Sequence, residues 1–140
     1  MNKLILPAIL LLALGMAGCK EPVRALVTDV NGLETEVMDL RFASGTTVKA
    51  AEGAGFRLIH TGDIGIVKIS SEETESIEGE LYYLAEIWLV DGSQIIPRIT
   101  PEGKRIGAYI NVNNEVSGAT PTGEFSIKLR DVKQIKFLRL

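Results

Sequence analysis

The sequence predicts an all-β domain, a small antiparallel β-sandwich or open β-barrel with at most one short helical turn. Turn signals recur roughly every 8 to 12 residues, at Asn31-Gly32, Gly45, Gly53 to Gly55, Thr61-Gly62-Asp63 and Asp91-Gly92, a spacing that suits strands and not helices. The runs between them are rich in β-branched and aromatic residues. Where a face can be read, its period is two: Phe125, Ile127 and Leu129 alternate with Ser126, Lys128 and Arg130.

Taken in order, Val23 to Val30 is the first strand, and Asn31-Gly32 turns it into a second arm running from Leu33 to Phe42. A break at Ala43 to Thr47 and a Gly-rich section over 50–55 precede a strand at Phe56 to His60. Thr61-Gly62-Asp63 then leads into Ile64 to Ile69. The one place suited to a helical turn is Ser71 to Ser76, where a serine caps the start and acids follow it. Leu81 to Val90 is apolar on both alternating faces apart from Glu86, the pattern of a central strand covered on two sides. Asp91-Gly92 turns it into a short return strand over 93–97, which Pro97 limits or places at an edge. Residues 110–115 and 118–123 read as an exposed polar loop suited to carrying binding specificity. A strand over 124–130, a turn over 131–134 and apolar positions running to Leu140 tie the C-terminus into a sheet.

A faint repeat shows when the chain is laid on itself 60 residues apart. Val30-Asn31-Gly32 then meets Val90-Asp91-Gly92, and Lys68-Ile69 meets Lys128-Leu129. The halves would be 23–79 and 80–140. Two readings stand, an internal duplication or chance among similar β patterns.

Composition narrows the function. Without the 18 leading residues the chain keeps 14 Lys or Arg against 18 Asp or Glu, which argues against a nucleic-acid partner whose phosphates need neutralising. The bases are concentrated late: 101–140 carries 7 of them against 4 acids, a weakly basic solvated surface. A single cysteine excludes both an intramolecular disulfide and a thiolate metal cluster.

The leader itself is the most informative segment. A positive start at Met1-Asn2-Lys3 is followed by an uncharged, mostly apolar run from Leu4 to Leu14 and small residues at Gly15, Ala17 and Gly18. The 16 residues from Leu4 to Cys19 span about 24 Å as helix, short for a hydrocarbon core of ~30 Å. Met16-Ala17-Gly18-Cys19 closes the run on the only cysteine. This junction resembles the lipobox of bacterial lipoprotein precursors, with Met where Leu is commoner, a swap of similar size. The resemblance implies cleavage after Gly18, a diacylglyceryl group on the Cys19 thiol, and further acylation of the new amino end. Several chains are needed, because one acyl chain gives only marginal anchoring. In that family the residue after the cysteine helps sorting, and Lys20 in place of Asp implies the periplasmic face of the outer membrane in a diderm. Lys20-Glu21-Pro22 then tethers the domain within ~10 Å of the bilayer.

Candidate chemistry is sparse. His60 is the sole histidine and has no second imidazole or thiol to share a metal. The acids Glu72, Glu73, Glu75, Glu78 and Glu80 lack the spacing of a preformed calcium loop. The glycines make no phosphate loop. No catalytic residue, metal or cofactor is therefore assigned. The candidate binding patch is Phe56, Tyr82, Tyr83, Trp88 and Tyr109. The expected function is a membrane-anchored envelope lipoprotein with a non-catalytic structural or binding module, which holds an envelope protein or polymer. Exposed sheet edges would allow a homo-oligomer. The alternatives are a small periplasmic or cell-wall hydrolase using Glu86 and His60 in a deep pocket, and an apolar-ligand carrier with a cavity between sheets beside Trp88.

Overall fold

A computed structural model describes residues 23–139. The leader, Cys19, the tether and the last residue lie outside them. Strands β1 (Arg24–Asp29) and β2 (Glu34–Phe42) form the first hairpin, with Ala25 opposite Val37 and Thr28 opposite Glu34. Gly32 takes φ 89 in its turn, a conformation that glycine adopts without steric cost.

The Gly-rich section is not a free excursion. It contains β3 (Thr47–Glu52), which pairs with β4 (Gly55–His60) around the two-residue loop Gly53-Ala54. A 3-10 turn over Thr61–Asp63 leads into β5 (Ile64–Ile77). That strand overturns the helical turn expected at Ser71 to Ser76. Glu78 and Gly79, at φ 52 and 83, close a tight hairpin that pairs Thr74–Ile77 with β6 (Glu80–Leu89). Ladder hydrogen bonds to β6 thus take the place of a capped turn.

Two short strands follow, β7 (Gln94–Ile95) against β6 and a separate ribbon of β8 (Arg98–Ile99) with β9 (Arg105–Ile106). The expected polar loop is instead the strands β10 (Ala108–Asn111) and β11 (Glu115–Thr120), joined by a short turn. Then come β12 (Gly123–Lys128), a 3-10 turn over Leu129–Asp131, and β13 (Val132–Leu138). Every pairing is antiparallel, and the main sheet curls strongly into a half-barrel. The open barrel is thus the architecture formed, not a face-to-face sandwich.

The strand order, β12-β11-β2-β1-β13-β5-β6-β10-β3-β4, has an internal symmetry. Exchange β1 with β6, β2 with β10, β3 with β11, β4 with β12 and β5 with β13, and the order reads as its own reverse. The correspondence extends to residues. β3, β4, the 3-10 turn and the start of β5 recur 68 positions later as β11, β12, the second turn and β13, with identical bounds. The Val30-Asn31-Gly32 and Val90-Asp91-Gly92 turns are equivalent: Val30 N–H donates to Asp131 O at 2.9 Å, and Val90 N–H donates to Asp63 O at 2.9 Å. The other 60-residue match fails. Lys128 ends β12, and the equivalent of Lys68 is Lys136 on β13. An excursion between β7 and β10, holding the β8–β9 ribbon, splits the second copy of β2 and changes the offset.

The pseudo-two-fold axis passes between Val67 and Ile135, which face each other across β5 and β13. Val27, Ile135, Val67 and Ile87 form one continuous row over four strands, each no more than 1 % exposed. They lie in a single core cluster that also takes Leu40, Ile110 and Leu129, so both halves share one interior.

Each half also recruits the other's strands. β2 pairs with β11, while β10 pairs with β3. Gly118 permits the first of these contacts, because a Cβ there would run into Val37 Cγ1 and lie 2.7 Å from Met38 O. This close approach sits at the irregularity in the β2–β11 register, beside Asp39 at φ 54.

Candidate functional site

Alternation along the strands separates the candidate aromatic residues. Directly opposed residues share a face, and successive residues alternate between faces. Tyr109 lies between Ala51 and Leu84, and Phe56 lies opposite Ala51. These residues and Tyr82 therefore occupy the face turned away from the main core. A second buried cluster forms there from Ala51, Tyr82, Leu84 and Tyr109, with Ile77 packed against it. The Phe56 and Tyr82 rings meet there at a centroid separation of 6.2 Å. Phe56, Tyr82 and Tyr109 are thus brought together.

Tyr83 is not part of this surface. It packs against the main core from the opposite face. Trp88 shares the patch's face but stands six residues from Tyr82 along β6, roughly 20 Å away at strand rise. Its ring instead carries Lys68 Nζ at 5.0 Å from the centroid.

The patch has charged borders. Lys49 Nζ sits 4.3 Å from the Phe56 centroid, within cation–π range. On the opposite side β5 bulges: Ser70 faces Leu84 and Thr74 faces Tyr83, so the register with β6 shifts across residues 71–73. The bulge and the strand after it border a hollow of about 370 Å³ lined by Glu72, Glu73, Thr74, Glu75, Leu84 and Tyr109. Aromatic and aliphatic carbon thus lies between three carboxylates and an ammonium group. Such a surface suits a ligand with an apolar body and a basic end.

Leu58 was not a sequence candidate, and it is 70 % exposed on the same face of β4 as Phe56. The signal available was its two-residue spacing from Phe56. Nothing local marked it as exposed, because that follows from β4 lying at the end of the sheet.

His60 and Glu86 do not converge. Glu86 lies level with the Gly53-Ala54 loop, whereas His60 pairs with Thr47 at the other end of that hairpin, about five residues or ~17 Å along the strand. His60 Nδ1 accepts a hydrogen bond from Gly62 N–H at 3.0 Å and caps the first 3-10 turn. Among the described residues no cluster of three His, Cys, Asp or Glu is placed to hold a metal ion, and no helix is long and apolar enough to cross a membrane. The chain matches no protein-family model and no curated protein.

Proposed function

We propose that this chain is a lipid-anchored protein of the bacterial envelope, with Cys19 carrying the lipid and the curled sheet acting as a non-catalytic binding module. The observation that carries the binding role is the exposure of Phe56 and Leu58 on the face opposite the core, with the Phe56 ring against that of Tyr82 in the buried cluster of Ala51, Tyr82, Leu84 and Tyr109. Large apolar side chains left exposed two residues apart on one face of a strand mark an interaction site. The partner is an envelope protein or polymer that presents apolar groups next to a positive charge, matching the hollow bordered by Glu72, Glu73 and Glu75. The membrane is engaged through the lipid, with outer-membrane placement in a diderm following from Lys20. The filling of the curl's concave side by the core cluster favours this surface role over carriage of an apolar ligand inside.

Two measurements test the proposal. Intact-mass analysis of the native product is expected to show loss of the first 18 residues and added acyl mass; an uncut or unacylated chain overturns the anchor. Affinity capture from native envelopes compares the wild type with Cys19→Ser and Phe56→Ala. Partners retained by Cys19→Ser and lost by Phe56→Ala are expected, while a set of partners indifferent to Phe56 refutes the patch.

A further inference from the structure

We infer that the outward face of the four central strands rests on the bilayer, with Trp88 and Lys136 at the headgroups; the inference rests on the lipid anchor proposed above. β1, β13, β5 and β6 stand in the middle of the strand order, with three strands beyond them on either side. A sheet curled into a half-barrel meets a plane along the middle of its convex side, and its extremities turn away from that plane.

The residues on that middle strip suit a membrane–water interface. Leu26, Lys136, Ile66 and Trp88 form one row over the four strands, on the side opposite the Val27, Ile135, Val67 and Ile87 row. Leu138 stands beside Arg24 in the adjoining row. Leu26, Ile66, Trp88 and Leu138 are half-buried, and Lys136 between them is exposed. Indole rings favour the headgroup level, and lysine stems lie along apolar surface while their ammonium groups reach the phosphates. The Trp88 Nε1–H has no hydrogen-bond partner among the described residues, so it is available to lipid oxygens. The other cations of the strip are engaged: Arg24 with Glu36 of β2, and Lys68 opposite Glu86 and over the Trp88 ring. Glu34, opposite Thr28, lies outside the four strands on β2. Lys136 has no ion pair among the described residues and occupies the middle of the row.

The tether decides what covers this strip. Lys20-Glu21-Pro22 keeps Val23 within ~10 Å of Cys19, and Val23 runs directly into β1, one of the four strands. Trp88, the far member of the row, is three strands across and three residues along from Val23, roughly 17 Å away. A bilayer that holds the lipid is therefore within reach of the whole row. The alternative posture, standing on the strand ends beside Val23, is opposed by charge. Those ends expose Asp39, Asp63, Asp91 and Glu124. Arg139 there is committed to the carbonyls of Thr61 and Ile64, and Arg41 lies 3.8 Å from Asp39. Lipid phosphates would face those carboxylates, whereas the central strip offers them Lys136. Resting on the strip also leaves the aromatic patch open, since β3 and β4 belong to an extremity that curls away.

Trp88 is the sole tryptophan, so its fluorescence reads the contact directly. Native protein whose mass includes the acyl chains is reconstituted into phosphatidylethanolamine–phosphatidylglycerol vesicles containing a lipid brominated near the top of its acyl chains. Bromolipid is expected to quench Trp88, and the vesicle to shield it from iodide. Lys136→Glu sets a carboxylate against the phosphates and should lose most of the bromolipid quenching. Lys133→Glu, an exposed position of the same strand on its opposite face, should leave the quenching unchanged. Circular dichroism should show both variants folded, because both side chains lie in solvent. In acylated protein, a Trp88 open to iodide and untouched by bromolipid overturns the inference and leaves the anchor standing, as does equal quenching in the two variants. A native product without acyl mass fails the anchor proposal and takes this inference with it.

Discussion

The two halves of the sheet repeat one strand order and differ in what they place on their outward faces. In one half, Ala51, Phe56 and Leu58 accompany Tyr82, Leu84 and Tyr109. Their counterparts in the other half are Ala119, Glu124 and Ser126, beside Arg24 and Met38. The corresponding surface there is a polar hollow of about 450 Å³ lined by Asp39, Arg41, Ser117, Glu124 and Ser126 among others. The cores, in contrast, are matched: Ala25 with Ala85, Val27 with Ile87, Val48 with Val116, Ile64 with Val132, all at most 1 % exposed. Shared interior and divergent exterior mean that the repeat specifies the fold, while the outward faces of the two halves differ in character.

The largest effect is expected where the halves are inseparable. Ile135→Ala removes a fully buried side chain from the row on the pseudo-two-fold axis and should cost roughly 2–5 kcal/mol. Because Val27, Val67 and Ile87 share that row, denaturant unfolding should remain one transition at a lower midpoint. Two separated transitions would show that the halves are independent units.

Gly118 and Ala50 sharpen the comparison, because they are equivalent positions with different tolerances. The β10–β3 pairing is regular at Ala50, whereas β2 carries its irregularity at Gly118. Gly118→Ala drives a methyl into Val37 and the Met38 carbonyl and should destabilise by about 1–3 kcal/mol. Ala50→Gly should cost only about 0.5–1 kcal/mol, mainly through backbone entropy. Equal losses on thermal denaturation would contradict the packing argument.

These pairs also explain which parts of the structure were legible beforehand. The hairpin at Asn31-Gly32, the central strand around Leu84 and the closing strands near Phe125 and Ile135 carry period-two patterns and glycine turns, both local signals. β3 and the second half of β5 do not. Ala50-Ala51 has weak strand propensity and gains its place from pairing with β10 and β4, while Glu72 to Ser76 favours helix locally and is held extended by the Glu78-Gly79 hairpin. The repeat was visible only at its first turn, because the β8–β9 excursion shifts everything after it. Of the aromatic patch, the sequence supplied the residues but not their separation: Tyr82 and Tyr83 are adjacent and face opposite ways.

A smaller gain, instead of a loss, is expected at Thr61. It is completely buried in the first 3-10 turn, and its Oγ1 has no hydrogen-bond partner. The equivalent residue in the second turn is Leu129, also completely buried. Thr61→Val keeps the shape, keeps the Thr61 N–H bond to Thr46 O at 2.8 Å and removes the stranded hydroxyl. A stabilisation of about 1 kcal/mol should appear as a raised midpoint. A destabilisation of that size would mean that the hydroxyl is satisfied, with a bound water the natural partner.

The smallest effect concerns the equivalent turns, which are stapled by different carboxylates. In the first, Asp29 Oδ1 accepts from the N–H groups of Asn31 and Leu33; in the second, Asp91 Oδ1 accepts from both the hydroxyl and the N–H of Ser93. The Ser93 hydroxyl is the leading cause that holds the Asp91 carboxyl below its ordinary range, followed by the Ser93 N–H. A depressed folded value means that the ionised side chain favours the folded turn above the unfolded pKa, and that this contribution fades as the pH falls through the folded pKa. Ser93→Ala should therefore raise the Asp91 pKa while leaving it below the ordinary value, because the backbone donor remains. Carboxyl NMR titration reads that partial shift directly. An unchanged titration would assign the depression to the backbone alone, and a complete return to the ordinary value would show that the N–H bond forms only when the hydroxyl holds the carboxylate in place.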